Sequence, residues 1–249
     1  MMYADAHLHL VPCGTLPDFS ADAVYAACTC AHDRDEFWQQ QEVIAAAQCP
    51  RVRIVSAFGI HPQNPVMENV AFLEARLRAG DVRAVGEAGF DLFTPAFAAR
   101  IAEQEAVWQA QVALAAAYDV PLIVHCRKGM ERLFRDAKLL KAVRAVVFHS
   151  FAGSPQDARS LVRRGINAFF SFGKPLLNGK KSAIACVREL PAERLLLETD
   201  APFQTLKGEA RTDPADIARV YRAAAQLKTV SVATLAGQLR TNFFSAFGV

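Results

Sequence analysis

Eight short apolar runs alternate with alanine-rich, helix-forming stretches, and this rhythm limits the possible folds more than any other feature. The runs cover residues 3–7, 24–29, 53–59, 82–87, 121–125, 143–149, 167–171 and 195–199. Helix patterns fall at 36–47, 67–79, 101–118, 155–164, 182–189 and 213–226. The last carries Pro214 near its start, a position a helix tolerates. Continuous apolar strands joined by helical crossovers form parallel sheets covered on both faces. Eight such units predict an α/β fold, a (β/α)8 barrel of TIM type, rather than an open sheet. Such barrels take roughly 200–250 residues as one domain, so one domain over residues 1–249 is expected. No glycine-rich turn follows the first run, so a dinucleotide fold has no support. One unit is defective. Only about sixteen residues, with Pro12, Gly14 and Pro17 among them, separate His7 from the second run. The first crossover helix is therefore expected to be missing or reduced to a short turn around 20–23.

The formal charge is +3, too mild for a protein that coats nucleic acid, so any basic function has to be local. Six cysteines are scattered through a chain long enough to fold without staples. The pair Cys28-Thr-Cys30 lacks the spacing of a zinc ribbon and reads as buried strand cysteine. No basic segment with an apolar signal core opens the sequence, and no apolar run approaches the roughly 20 residues that span a bilayer. A soluble, cytoplasmic monomer with reduced thiols and no membrane partner is expected.

Barrel enzymes place their chemistry at the C-terminal ends of the strands. There the sequence supplies Asp5, His7 and His9, then Gly59-Ile60-His61-Pro62, then Gly86-Glu87-Ala88-Gly89-Phe90-Asp91. Later ends supply His125-Cys126-Arg127, His149-Ser150 and Glu198-Thr199-Asp200. Five of the six histidines thus converge on one rim. A single histidine at a strand end is more often a satisfied core or loop residue than a ligand. Five strand ends carrying nitrogen and oxygen donors are harder to explain as packing, because buried carboxylates and imidazoles are costly unless paired or metal-bound. His32, in the charged stretch His32-Asp33-Arg34-Asp35-Glu36, is read as the start of a helix. Imidazole and carboxylate without thiolate suit Zn²⁺, Mn²⁺ or a similar ion. Cys126 alternates to the other face of its strand and is not taken as a ligand. Four histidines, a Glu and an Asp exceed the three protein ligands typical of one open catalytic ion. They fit two divalent ions sharing a carboxylate.

Taken together these motifs resemble the TatD family of metal-dependent deoxyribonucleases, within the amidohydrolase-like barrels. They are Asp5-Ala-His7-Leu-His9-Leu, Gly59-Ile-His61-Pro62, Gly86-Glu87-Ala-Gly-Phe-Asp91, Pro121-Leu-Ile-Val-His125-Cys-Arg127, His149-Ser-Phe-Ala-Gly-Ser154 and Leu197-Glu198-Thr199-Asp200-Ala-Pro202. They occur in family order across nearly the whole chain, and the ending Asn242-Phe-Phe-Ser-Ala-Phe247 is similar to the family's closing helix. The resemblance implies that His7, His9 and Asp200 bind one ion, that Glu87 bridges, and that His125 and His149 bind the second. The ions it implies are Zn, Mn or Mg. It further implies that Asp200 is the general base and that His61 and Arg127 touch the substrate phosphate. It implies DNA as substrate and a 3′–5′ exonuclease mode. The chain departs from the family in Leu92-Phe93-Thr94-Pro95-Ala96, where a Tyr-rich stretch leading to a base is usual, and in Arg211-Thr212-Asp213-Pro214. Both changes fall in substrate-facing loops rather than in the ligand set.

Asp5 is expected either to orient a histidine of the first strand or to make a strand-end hydrogen bond. Lys128, Lys174, Lys207 and Arg211 are candidates for a phosphate track, with solvated surface lysines the plain alternative. Phe151, Phe172 and Phe203 are candidates for stacking on bases, with core packing the plain alternative. Two other functions compete. One is hydrolysis of amides, esters or small phosphodiesters, for which many related barrels use a modified lysine where this chain has Glu87. The other is a non-catalytic binder of phosphate or nucleic acid, against which an intact Asp200 and ligand set argue.

Overall fold

The computed structural model describes residues 2–14, 24–47 and 50–248. Eight strands form one parallel sheet in chain order: β1 (Met2–Leu8), β2 (Val24–Ala31), β3 (Val52–Phe58), β4 (Ala84–Asp91), β5 (Leu122–Arg127), β6 (Val146–Phe148), β7 (Ala168–Phe172) and β8 (Leu195–Leu197). The sheet closes into a barrel just past its last strand. The amide of Asp200 donates to His7 O at 2.9 Å, and the amide of His9 donates to Ala201 O at 2.8 Å.

Helices lie between the strands, as the alternation requires. They are α1 (Leu10–Cys13), α2 (Arg34–Ala46), α3 (Asn69–Ala79), α4 (Pro95–Ala99) and α5 (Ile101–Ala117) in the first half. The second half holds α6 (Met130–Arg135), α7 (Ala137–Leu140), α8 (Pro155–Arg163), α9 (Lys181–Glu189), α10 (Ile217–Lys228) and the closing α11 (Val232–Phe247). Local chemistry sets several of their starts. The Asp33, Thr94, Ser154 and Ser231 side chains each accept an amide of the first turn. Among the described residues, the first crossover contains α1, a single turn that ends on Gly14 at φ 74°, a left-handed conformation glycine adopts without strain. The short turn expected around 20–23 lies outside the described residues. The crossover from β5 to β6 is two short helices, α6 and α7, where the sequence shows no helix pattern.

Strand alternation separates two apolar layers. Phe58, Val85, Leu122, Phe148 and Phe170 face outward with the helices. Ala6, Cys28, Ala57, Ile123, Val147 and Phe169 fill the barrel with Phe243 and Phe247 of α11. Inward alternation carries the next residue but one past Ile123 and Val147 to the rim. Those residues are His125 and His149. Cys28 and Cys30 are buried strand thiols, as expected, and Cys126 packs on the outer layer. Among the described residues, no helix is long and apolar enough to cross a membrane.

Candidate metal centre

His7 ends β1's inward face, and His9 follows two residues later. Their Nε2 atoms stand 3.2 Å apart. Asp200 Oδ1, one turn past β8, lies 3.5 Å from His7 Nε2 and 3.4 Å from His9 Nε2. Glu87 Oε1, in β4, lies 3.3 and 3.4 Å from the same two nitrogens. Four donors set tetrahedrally around a cation at 2.0–2.1 Å would stand about 3.3–3.4 Å from one another. The five edges from His7 and His9 match that spacing, so these donors fit a divalent cation.

The other carboxylate oxygen of Glu87 meets a second group. Oε2 is 2.8 Å from His149 Nε2 and 3.2 Å from His125 Nδ1, and those two nitrogens are 3.3 Å apart. His61 Nε2 stands farther off, 3.8 Å from Oε2. Glycines make room for Glu87. A Cβ on Gly59 would fall 2.5 Å from the carbonyl carbon of Gly86, and one on Gly89 would fall 2.0 Å from His125 O. β4 therefore approaches both neighbours more closely than any side chain allows.

The far nitrogens of His9 and His125 are tied to oxygen acceptors, which fixes their tautomers. His9 Nδ1 donates to Cys30 O at 3.2 Å, and His7 Nδ1 faces Cys30 Sγ at 3.4 Å. His125 Nε2 donates to Asp91 Oδ2 at 3.3 Å, and His149 Nδ1 faces Glu198 Oε1 at 3.6 Å. Cys30 and Asp91 thus orient the imidazoles of His7, His9 and His125, while Glu198 Oε1 accepts the Ser150 amide at 2.7 Å. Asp5 does not take that part. It accepts the Thr199 amide at 2.9 Å, the Thr199 hydroxyl at 2.7 Å and the Tyr25 hydroxyl at 3.3 Å, and so joins β1 to the end of β8. This is the strand-end role foreseen as its alternative.

Burial and charge pull the titrating groups apart. Burial would raise the Glu87 and Asp200 carboxyls, but the facing imidazoles hold both well below the usual carboxylate range. Burial would lower His149, yet Glu87 and Glu198 bring it up to about 10. His61 goes the other way: burial pushes it well below the ordinary imidazole value, so its ring is neutral.

The site opens into a cavity of about 760 Å³. Arg127 and Lys128 line it, the first with its guanidinium 3.9 Å and the second with its ammonium 4.7 Å from the ring centroid of Phe93. Arg127 also sits 3.6 Å from Asp91. Phe203 lines the mouth, half exposed, 5.1 Å from the His9 ring.

Several expectations change here. His32 is not merely a helix start: its Nε2 is 3.0 Å from Glu87 Oε1, so all six histidines meet at this rim. β2 runs to Ala31, two residues past the apolar run, and that puts His32 at the strand's C-terminal end. Lys174 is not part of a phosphate track. It is fully buried and paired with Glu209 and Asp216. Lys207 and Arg211 are exposed and do not line the cavity, whereas Lys180 does. Phe151 and Phe172 are core residues. Of the three stacking candidates only Phe203 reaches the cavity, and Phe93 joins it there.

The family model described as TatD related DNase matches residues 4–248. The chain belongs to the TatD-related DNase family. It is 32% identical over 207 residues to the uncharacterized metal-dependent hydrolase YjjV of Escherichia coli, covering 79% of this chain and 77% of that one. It is also 32% identical over 208 residues to a Klebsiella pneumoniae protein named 3'-5' ssDNA/RNA exonuclease TatD, covering 78% of this chain and 77% of that one. The crystal structure of the E. coli TatD homologue YjjV superposes with a TM-score of 0.83 at 27% identity, over 99% of this chain and 98% of that one. This TatD-family chain is a metal-dependent hydrolase with a TIM-type barrel.

Proposed function

We propose that the chain is a two-metal phosphodiesterase that shortens single-stranded DNA from its 3′ end. The observation that carries this reading is the placement of Glu87, whose Oε1 faces His7 and His9 while its Oε2 faces His125 and His149. His7, His9 and Asp200 would hold one divalent cation with Oε1, and His125 and His149 the other with Oε2. Zn²⁺, Mn²⁺ and Mg²⁺ are the candidates. With divalent cations bound, the site polarises a phosphoryl oxygen and acidifies the attacking water. Relatives named 3'-5' ssDNA/RNA exonuclease support the substrate and its direction.

The chain's own residues then have distinct tasks. Asp200 is the general base. Gln204 Nε2 holds its Oδ2 at 2.7 Å and also reaches Ser150 Oγ at 2.8 Å, which fixes the carboxylate plane. His61 takes the Gln63 amide on Nδ1 at 3.2 Å, so Nε2 carries the proton. Being neutral, His61 donates a hydrogen bond to a phosphoryl oxygen rather than neutralising its charge. Arg127 supplies the charge, held by Asp91 and by the face of Phe93. Phe203 offers an exposed ring to a base next to the scissile group.

The test uses purified protein with Mg²⁺, Mn²⁺ or Zn²⁺ and single-stranded DNA labelled at either end, beside Asp200→Asn. Metal-dependent shortening from the 3′ end that is lost in the variant is expected. Turnover of a small phosphodiester or an amide with DNA left intact would replace the substrate. No turnover of any of them would favour a non-catalytic binder.

A further inference from the structure

The two donor sets leave out His61, which has a task at the substrate, and His32, which has none, and the placement of His32 is not incidental. Its Nε2 lies 3.0 Å from Glu87 Oε1, nearer to that oxygen than His7 at 3.3 Å or His9 at 3.4 Å. Its ring packs against those of His9 and His61, with centroids 5.0 Å away in each case. The backbone is pinned as well. The His32 amide donates to Glu36 Oε2 at 2.7 Å, and the Glu36 amide donates to the Asp33 side chain at 2.9 Å, so the first turn of α2 holds the residue in place. His32 Nδ1 faces the same Glu36 carboxylate at 3.8 Å. An imidazole with one nitrogen toward a metal set and the other toward a carboxylate is the usual arrangement of a metal-ligating histidine. Donor atoms of His9, His32 and Glu36 all fall within 4.8 Å of one another.

We infer that His32 is a further ligand at the His7–His9 side of the centre, oriented by Glu36. The inference rests on the two-cation reading above and goes beyond it. It makes the two halves unequal. The first has five protein donors: His7, His9, His32, Glu87 and Asp200. The second has three, Glu87, His125 and His149, and both halves line the same cavity. A site saturated by protein holds its ion as a structural site does, whereas three protein ligands leave room for substrate. The first ion is therefore held tightly and the second exchanges.

The test is titration of the metal-free full chain with Co²⁺ and with Zn²⁺ against a competing chelator, reading both dissociation constants and the visible Co²⁺ spectrum. Wild type should take up two ions with separated affinities. His32→Ala should weaken the tighter one by more than about 10-fold, leave the weaker one unchanged, and shift the spectrum of the first equivalent toward lower coordination. His32→Gln keeps an N–H for Glu87 but offers no imidazole, so it should behave like the alanine variant. Unchanged affinity and spectrum in His32→Ala would overturn the inference. So would wild-type values in His32→Gln, since His32 would then be only a hydrogen-bond donor to Glu87. A wild-type chain that takes up a single ion would instead defeat the two-cation reading itself, and this inference with it. Circular dichroism of each variant separates loss of a ligand from loss of the fold.

Discussion

Thr199 shows how a residue that never touches substrate can set the site. Its amide and hydroxyl both donate to Asp5, and Asp200 follows it directly. Thr199→Val removes the hydroxyl donor from a buried carboxylate, which costs about 1–3 kcal/mol, read as a lower urea midpoint at an unchanged m-value. Arg127 belongs at this scale too. Arg127→Ala should lower kcat/KM on DNA by about 10²-fold while both metal affinities stay at wild-type values, as chelator competition would measure. Most of this rim could be seen in the sequence, because strand alternation and the strand-end rule bring His7, His9, His61, Glu87, His125, His149 and Asp200 together without coordinates, and the family resemblance sorts them into ligands and substrate contacts. His32 escaped because its charged neighbours read as a helix start and the apolar run stopped two residues before the strand did. Lys174 escaped for a different reason. Its partners Glu209 and Asp216 lie 35 and 42 positions further on, so no local pattern marks it as buried.

Those partners make Lys174 a clamp between elements. It sits just after β7, Glu209 lies in the loop that follows β8, and Asp216 precedes α10, with Arg219 bonded to both acids. The same loop presents Phe203 and Gln204 to the cavity. Hydrogen bonds from Lys174 bring Glu209 from 4.5 to about 2. Burial works against Asp216, but hydrogen bonds from Lys174 and Arg219 leave its carboxyl lowered as well. A depressed carboxyl contributes stability above its unfolded pKa and loses it as pH falls through the folded one. Wild type should thus lose stability between about pH 4.5 and 2. Lys174→Met should lower the melting temperature at neutral pH and flatten that acid limb, as thermal melts across the range would record. Strand spacing gives a sharper prediction. Gly89→Ala drives a methyl into His125 O and must part β4 from β5, so soluble yield and metal affinity should fall together. The helical layer was mostly legible from apolar periodicity and caps. α6 and α7 were not, since helices of six and four residues carry too few turns to show a period.

At the scale of the whole molecule, the centre concentrates six imidazoles and two carboxylates at one rim, a donor set that divalent cations would satisfy. Chelation should lower the melting temperature, and added Zn²⁺ or Mn²⁺ should raise it. Saturation at 100 times Kd corresponds to about 2.7 kcal/mol, and calorimetry with and without chelator measures it. Eight alternating units made the barrel readable as a whole, because that count leaves few other topologies. The hydrogen bonds that close it are less obvious. They run between His7 and Asp200 and between His9 and Ala201, so the seam of the barrel is also the seam of the metal centre. This has a consequence for synthesis. While the ribosome is still extending the chain, residues 7 and 9 have long been made but have nothing to meet. Hydrolytic capacity cannot appear gradually along the nascent polypeptide. It arrives in one step, when the segment around residue 200 emerges and joins the first strand. Any product that stops earlier is born inert.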